Sequence, residues 1–168
     1  RAFGPGRVHG PMAWARLETS PQPEVSMRSL ILAASLVLVA APAHAQDKDE
    51  AGARTAVNHY LAGHATGSAA EFGAAFHPKA MLYWNRDGSF AARTLADFIA
   101  AAATGKPAVD EARRRRWIES LDVTGNAGMA KVVLDYPSVR FVDYLSLVKA
   151  DGEWRIVNKI FQAERKEQ

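Results

Sequence analysis

DYLSLVKADGEWRIVNKIF, from Asp143 to Phe161, reads as two β-strands around the two-residue turn Asp151-Gly152. Apolar residues alternate with polar ones on both sides of the turn, and a two-residue loop fixes which residues face each other. Continued without interruption, that register sets Asp143 opposite Ile160, Leu145 opposite Asn158 and Leu147 opposite Ile156, with Trp154 on the same face. Tyr144 and Lys159 then oppose each other on the other face. Immediately upstream, SLDVTGNAGMAKVVLDYP (Ser120 to Pro137) repeats the pattern around Gly125-Asn126. Here Trp117, Glu119, Leu121 and Val123 share a face with Leu134, Val132, Ala130 and Gly128, while Ser120, Asp122, Lys131 and the facing pair Arg116 and Asp135 occupy the wetter side. The C-terminal part of the chain is therefore a four-strand meander, spanning 117–124, 127–136, 139–150 and 153–161.

Upstream of the meander the period changes from two to about 3.6. Ala53, Val57, Tyr60, Leu61 and His64 recur at helical spacing between Asp49 and about Ala65 and form one buried stripe. Ser68-x-x-Glu71 has the form of a capping box and opens a second helix that buries Phe72 and Phe76 and stops at His77-Pro78. Met81 to Asn85 and Ser89 to Arg93 form a hairpin about Asp87-Gly88. Thr94-x-x-Asp97 caps a third helix whose Leu95, Phe98 and Ile99 face inward, and Gly105-Lys106-Pro107 ends it. The expected class is α+β, with three helices packed on a strongly curved, mainly antiparallel sheet.

Each apolar sheet face contains one carboxylate that does not belong on it, Glu119 in the first hairpin and Asp143 in the second. An unpaired buried carboxylate is expensive and its pKa rises, so it needs a partner, water or a chemical role. Two explanations fit. Either Glu119 sits at a wet margin and Asp143 takes a hydrogen bond from the diagonal Asn158, or both point into a cavity as ligand-orienting groups or general bases. His64 lies on the inward stripe of the first helix, and His77 at a helix end where a C-terminal cap is the simplest role. Trp84, Trp117, Trp154 and Phe161 read as core or sheet-packing residues, of which one or two lining a pocket would suit a flat aromatic ligand. The 13-residue spacing of His64 and His77 is not a local metal-ligand motif, and no phosphate loop, nucleophile elbow or dinucleotide fingerprint occurs. No metal or cofactor is expected.

The order helix, helix, strand pair, helix, meander, with YLAGHATG (Tyr60 to Gly67), AFHPKA (Ala75 to Ala80) and the two hairpin stretches above, resembles the nuclear-transport-factor-2-like superfamily of cone-shaped α+β domains. The similarity is greatest to its small exported members described as putative lumazine-binding. The resemblance covers essentially all of 46–168 and implies a curved sheet wrapped round three helices, a pocket within the cone, and a homodimer formed through the sheet. It also implies a choice between binding alone and isomerase, dehydratase or polyketide-cyclase chemistry resting on an acid or base inside the cone. Asp143 and Glu119 are the candidate catalytic groups for a general-base reaction on a carbonyl-containing small molecule. Tyr60, His64, His77, Tyr83, Trp117 and Asn158 are the candidate ligand contacts. The leading expectation is a protein that binds a small, partly apolar or aromatic molecule; isomerase or dehydratase catalysis and a non-catalytic dimerisation module are the alternatives.

The N-terminal part reads differently. Met27-Arg28-Ser29 precedes an apolar run, Leu30 to Ala41, interrupted only by Ser35, and then Pro42-Ala43-His44-Ala45. A charged start, a short apolar core and an A-x-A site describe a secretory signal peptide over 27–45, with 1–26 an upstream extension and 46–168 the mature domain. A periplasmic or secreted location follows as an expectation, with no membrane anchor after cleavage. The whole chain has 168 residues and a formal net charge of +3, and its pI of about 9.3 suggests nucleic acid. Without residues 1–45, which hold Arg1, Arg7, Arg16, Arg28, Glu18 and Glu24, 17 basic residues remain against 16 acidic ones in 123 residues. A nearly neutral domain, whose one basic run (Arg113 to Arg116) follows Asp110-Glu111, is not expected to bind nucleic acid. The absence of cysteine excludes a disulfide framework and a Cys-ligated zinc site, so the core and sheet must hold the domain together.

Overall fold

A computed structural model describes residues 41–167, with side chains from Gln46 onward. Residues 1–45, on which the expectations of an upstream extension and a signal peptide fall, lie outside the described residues, apart from the backbone of 41–45.

Helix α1 (Ala41–Thr66) carries the anticipated stripe: Ala53, Val57 and Tyr60 are fully buried. Helix α2 (Ala69–Ala75) starts as the sequence indicates, with the Glu71 backbone N–H donating to the Ser68 hydroxyl at 3.3 Å. Glu71 does not complete the box, because its carboxylate turns to His59 Nδ1 at 2.7 Å and so ties α2 to α1. The helix ends at Ala75, two residues before His77-Pro78, because Phe76 already adopts an extended backbone and opens strand β1 (Phe76–Arg86). Strand β2 (Ser89–Thr94) returns through Asp87-Gly88, both at positive φ as a tight two-residue turn requires. Thr94 then caps α3 (Leu95–Ala102), which buries Leu95 and Phe98. The meander follows as β3 (Arg115–Thr124), β4 (Ala127–Asp135), β5 (Val139–Ala150) and β6 (Glu153–Arg165).

The six strands form one sheet in the order β2-β1-β6-β5-β4-β3, antiparallel throughout except for the parallel pair β1 and β6. The helices pack on one face of this sheet. Their shared core joins Tyr60, Phe72 and Phe98 to Val132, Leu134, Leu145, Leu147 and Ile156. Gly63 makes the α1–α2 contact possible: a Cβ there would lie 2.6 Å from the Phe72 ring. No described helix is long and apolar enough to cross a membrane.

Two β-bulges change the register that the turns alone imply. In β3 the pairing runs as expected from Thr124 opposite Ala127 to Ser120 opposite Lys131, then shifts by one residue at Glu119. Beyond the shift Ile118 faces Val132, Trp117 faces Val133, and Arg116 faces Leu134 rather than Asp135. In β6 the shift falls at Val157, so Asp143 opposes Phe161, Leu145 opposes Lys159, Tyr144 opposes Ile160, and Asn158 opposes Ser146. A bulge inserts one unpaired residue, and with a side-chain period of two this exchanges the faces of everything beyond it. Lys159 and Arg116 are thereby turned inward, and Glu119, Trp117, Asn158 and Ile160 leave the face assigned to them by uninterrupted pairing.

Candidate functional site

Between α1, α3 and the concave face of the sheet lies a cavity of about 290 Å³. Leu82, Trp84, Phe98, Leu134, Phe141 and Phe161 provide apolar walls, and Tyr136, His64, Lys159, Arg86 and Arg93 provide the polar groups. This composition, aromatic and aliphatic with few convergent polar atoms, is that of a small-molecule site.

Beneath it lies a buried network built from three elements. The Tyr60 hydroxyl on α1 donates to Asp143 Oδ2 on β5 at 2.5 Å and accepts from Lys159 Nζ on β6 at 2.5 Å. Nζ also lies 3.0 Å from the same carboxylate oxygen. Asp143 is completely buried and Lys159 is 4% exposed. The bulge at Val157 creates this arrangement, since without it Lys159 would sit on the opposite face. Burial lowers the Lys159 pKa, and the Asp143 charge opposes that shift. Burial together with Asp143 pushes the Tyr60 phenol well above its ordinary value. Nζ rests 4.8 Å from the Phe161 ring centre and 5.7 Å from that of Phe98, both cavity walls.

His64, one turn after Tyr60, packs edge-on against its ring with centroids 4.7 Å apart and lines the cavity. Its buried Nε2 and Asp143 Oδ1 have no hydrogen-bond partner among the described residues. Burial, reinforced by the Lys159 and Arg116 charges, holds the imidazole well below its ordinary pKa of 6.5. The unfolded chain therefore binds a proton that the folded one refuses. This contribution to stability is complete above the unfolded pKa and is lost as pH falls below it, at up to about 1.4 kcal/mol per pH unit. Urea unfolding between pH 7.5 and 5 should show His64→Phe losing less stability than the wild type; parallel pH profiles would contradict a neutral buried His64.

Arg116, turned inward by the first bulge, grips Glu111 with two nitrogens at 2.5 and 2.8 Å, donates to the Tyr136 hydroxyl at 3.1 Å, and reaches the His64 carbonyl at 3.1 Å. It fixes the last turn of α1, and with it the His64 ring, against the cavity wall. At the other side, the guanidiniums of Arg86 and Arg93 lie over the Trp84 ring at 5.1 and 5.5 Å. Among the described residues neither is in an ion pair.

Of the sequence candidates, Tyr60 and Asp143 meet in the buried network and His64 lines the cavity. The other five stand elsewhere. Glu119, on the outward bulge, pairs with Lys131 at 2.5 Å rather than entering an apolar face. Trp117 is 38% exposed, with the Arg140 guanidinium 5.9 Å from its ring. Tyr83 stacks on Phe90 on the far side of the sheet at 5.5 Å. His77 accepts the Lys79 backbone N–H in a turn at 3.1 Å instead of capping α2. Asn158 shares no bond with Asp143, whose partners are Tyr60 and Lys159. Lys159, Arg116, Arg86 and Arg93 are the site groups that sequence pairing did not bring inward. The inward Asp143 was itself a signal for Lys159, because a buried carboxylate requires a cation and Lys159 is the one on the facing strand next to the expected partner.

A family model described as Putative lumazine-binding matches residues 48–162. Among solved structures, an NTF-2-like protein from Silicibacter pomeroyi is 24% identical, over 70% of this chain and 98% of that one, with a TM-score of 0.61. An NTF2-like protein from Methylobacillus flagellatus is 26% identical, over 70% and 93%, with a TM-score of 0.61. A protein described as a putative ketosteroid isomerase, from Shewanella frigidimarina, is 18% identical over 68% and 97%, with a TM-score of 0.50; at that identity the likeness is one of fold alone. Among characterised proteins, Aldolase FrzH from a Cladobotryum species is 28% identical over 93 residues, which is 52% of this chain and 70% of the relative.

Proposed function

The chain belongs to the putative lumazine-binding family, within the nuclear-transport-factor-2-like fold, and from that premise we propose that it is an exported protein that holds a small anionic molecule with a flat apolar body in the concave cavity. The observation that carries this reading is the pairing of aromatic walls with two guanidiniums, Arg86 and Arg93, that have no carboxylate among the described residues. Planar guanidinium forks suit a carboxylate or phosphate, and Trp84 holds both in place. The signal-like segment over 27–45 supports export. The test is thermal unfolding with benzoate-type acids and with their uncharged amides. Acids should raise the melting temperature, as ligands that bind only the folded state do, and the amides should do so far less; equal effects contradict an anion-selecting rim.

Carbonyl chemistry is the second reading, and the observation favouring it is Lys159 on an apolar cavity wall. A relative described as an aldolase supports the same direction. A carboxylate base acting directly on the ligand is less favoured by the geometry, because Glu119 is on the outside and Asp143 is completely buried beneath the cavity and does not line it.

The far face of the sheet supports the expected homodimer. Met129, Tyr144, Val148, Ile160 and Phe90 are exposed there, Ile160 by 50% and Phe90 by 80%. Exposed apolar side chains concentrated on one sheet face mark an association surface. Ile160→Asp should convert a dimer to a monomer in sedimentation velocity while leaving the far-UV circular dichroism of the fold unchanged; a monomeric wild type contradicts this.

A further inference from the structure

We propose that Lys159 is the reactive group of the concave cavity and condenses, through its Nζ, with the carbonyl group of an anionic aromatic aldehyde or ketone to form an imine. The inference rests on the cavity being the ligand site. Nζ lies between two aromatic cavity walls, Phe161 and Phe98, with its hydrogen bonds directed to Tyr60 and Asp143 on the buried side. A lysine amine surrounded by apolar groups gives up its proton more readily than one in water, which is the condition for attack on a carbonyl. Its lowered pKa agrees with that geometry.

The step balances within the network. Asp143 Oδ2, 3.0 Å from Nζ, takes the ammonium proton, directly or through the Tyr60 hydroxyl. The freed nitrogen pair forms the C–N bond as the C=O π pair moves to oxygen. That oxygen receives two of the three nitrogen protons in all, one of them by way of Asp143, and leaves as water. The third proton stays on nitrogen, so the iminium cation faces a carboxylate again. No oxidant, reductant or cofactor is needed. The guanidiniums over Trp84 would take the anionic group of the same compound.

The probe is 4-carboxybenzaldehyde, trapped with sodium cyanoborohydride at neutral pH and located by peptide mass mapping. Lys159 should be alkylated at least about tenfold faster than the exposed Lys79 and Lys106. Its rate should also level off at a lower pH than theirs. Benzoate should protect it. Tyr60→Phe, which keeps the amine and the core volume, should change the pH profile of labelling at Lys159 alone. Labelling of Lys159 no faster than that of surface lysines overturns the proposal. If benzoate still raises the melting temperature in that case, the pocket reading stands and only the imine falls; if it does not, both fall.

Discussion

Asp143→Ala should lower the unfolding free energy by about 3–5 kcal/mol, the usual consequence of removing one partner from a buried ion pair. The reason is positional. Asp143 is fully buried, its Oδ2 receives both the Tyr60 hydroxyl and Lys159 Nζ, and Lys159 is 4% exposed. With the carboxylate gone, the lysine must be buried charged and uncompensated or give up its proton, and the Tyr60 hydroxyl loses its acceptor. The double replacement Asp143→Leu with Lys159→Met should recover the charge penalty, since a buried ion pair and an apolar pair of similar volume are often of comparable stability, and the further change Tyr60→Phe should remove the cost of the hydroxyl left without a partner. Urea unfolding of Asp143→Leu, Lys159→Met and the double forms a mutant cycle with a large coupling. Additive effects would mean that the two groups do not act as a pair.

Replacing Arg86 and Arg93 together by glutamine should weaken binding of an aromatic carboxylate by roughly 10–100-fold, taking about 1.5–3 kcal/mol for loss of charge-assisted hydrogen bonds. Both guanidiniums lie over Trp84 rather than in ion pairs among the described residues, so an arriving anion has no internal carboxylate to displace. Affinity for the uncharged amide should change little, and neither should folding stability, because no described ion pair is lost. Calorimetric titration of the acid and the amide into both proteins separates these outcomes. An equal loss for both ligands would assign the arginines to the cavity's shape instead of its charge.

The helices and hairpins were legible because their signals are local: Ser68 and Thr94 as caps, Asp87-Gly88 and Asp151-Gly152 as turns, and the Ala53, Val57, Tyr60 stripe. Asp143 was legible as a buried carboxylate in need of a partner. The choice of partner was not, because register propagates from a turn only as far as the first bulge. A single inserted residue at Val157 exchanged Asn158 for Lys159, and another at Glu119 exchanged the Glu119 and Trp117 side chains for Ile118 and Arg116. One clue was present in β3, where the apolar Ile118 beside Glu119 breaks the alternation. Of the rim arginines, Arg86 had a local signal, since it follows Trp84 by two residues on β1 and shares its face. Arg93 had none: it stands on β2 opposite Leu82 and reaches the Trp84 ring only through strand pairing.

The concave cavity as ligand site is tested most directly by amide chemical-shift mapping during titration with 4-hydroxybenzoate. Shifts should concentrate at His64, Leu82, Phe98, Leu134 and Lys159, around the cavity between α3 and the sheet. Shifts confined to Phe90, Tyr144, Ile160 and Gln162, which line the depression on the far face, or no localised shifts at all, would contradict it.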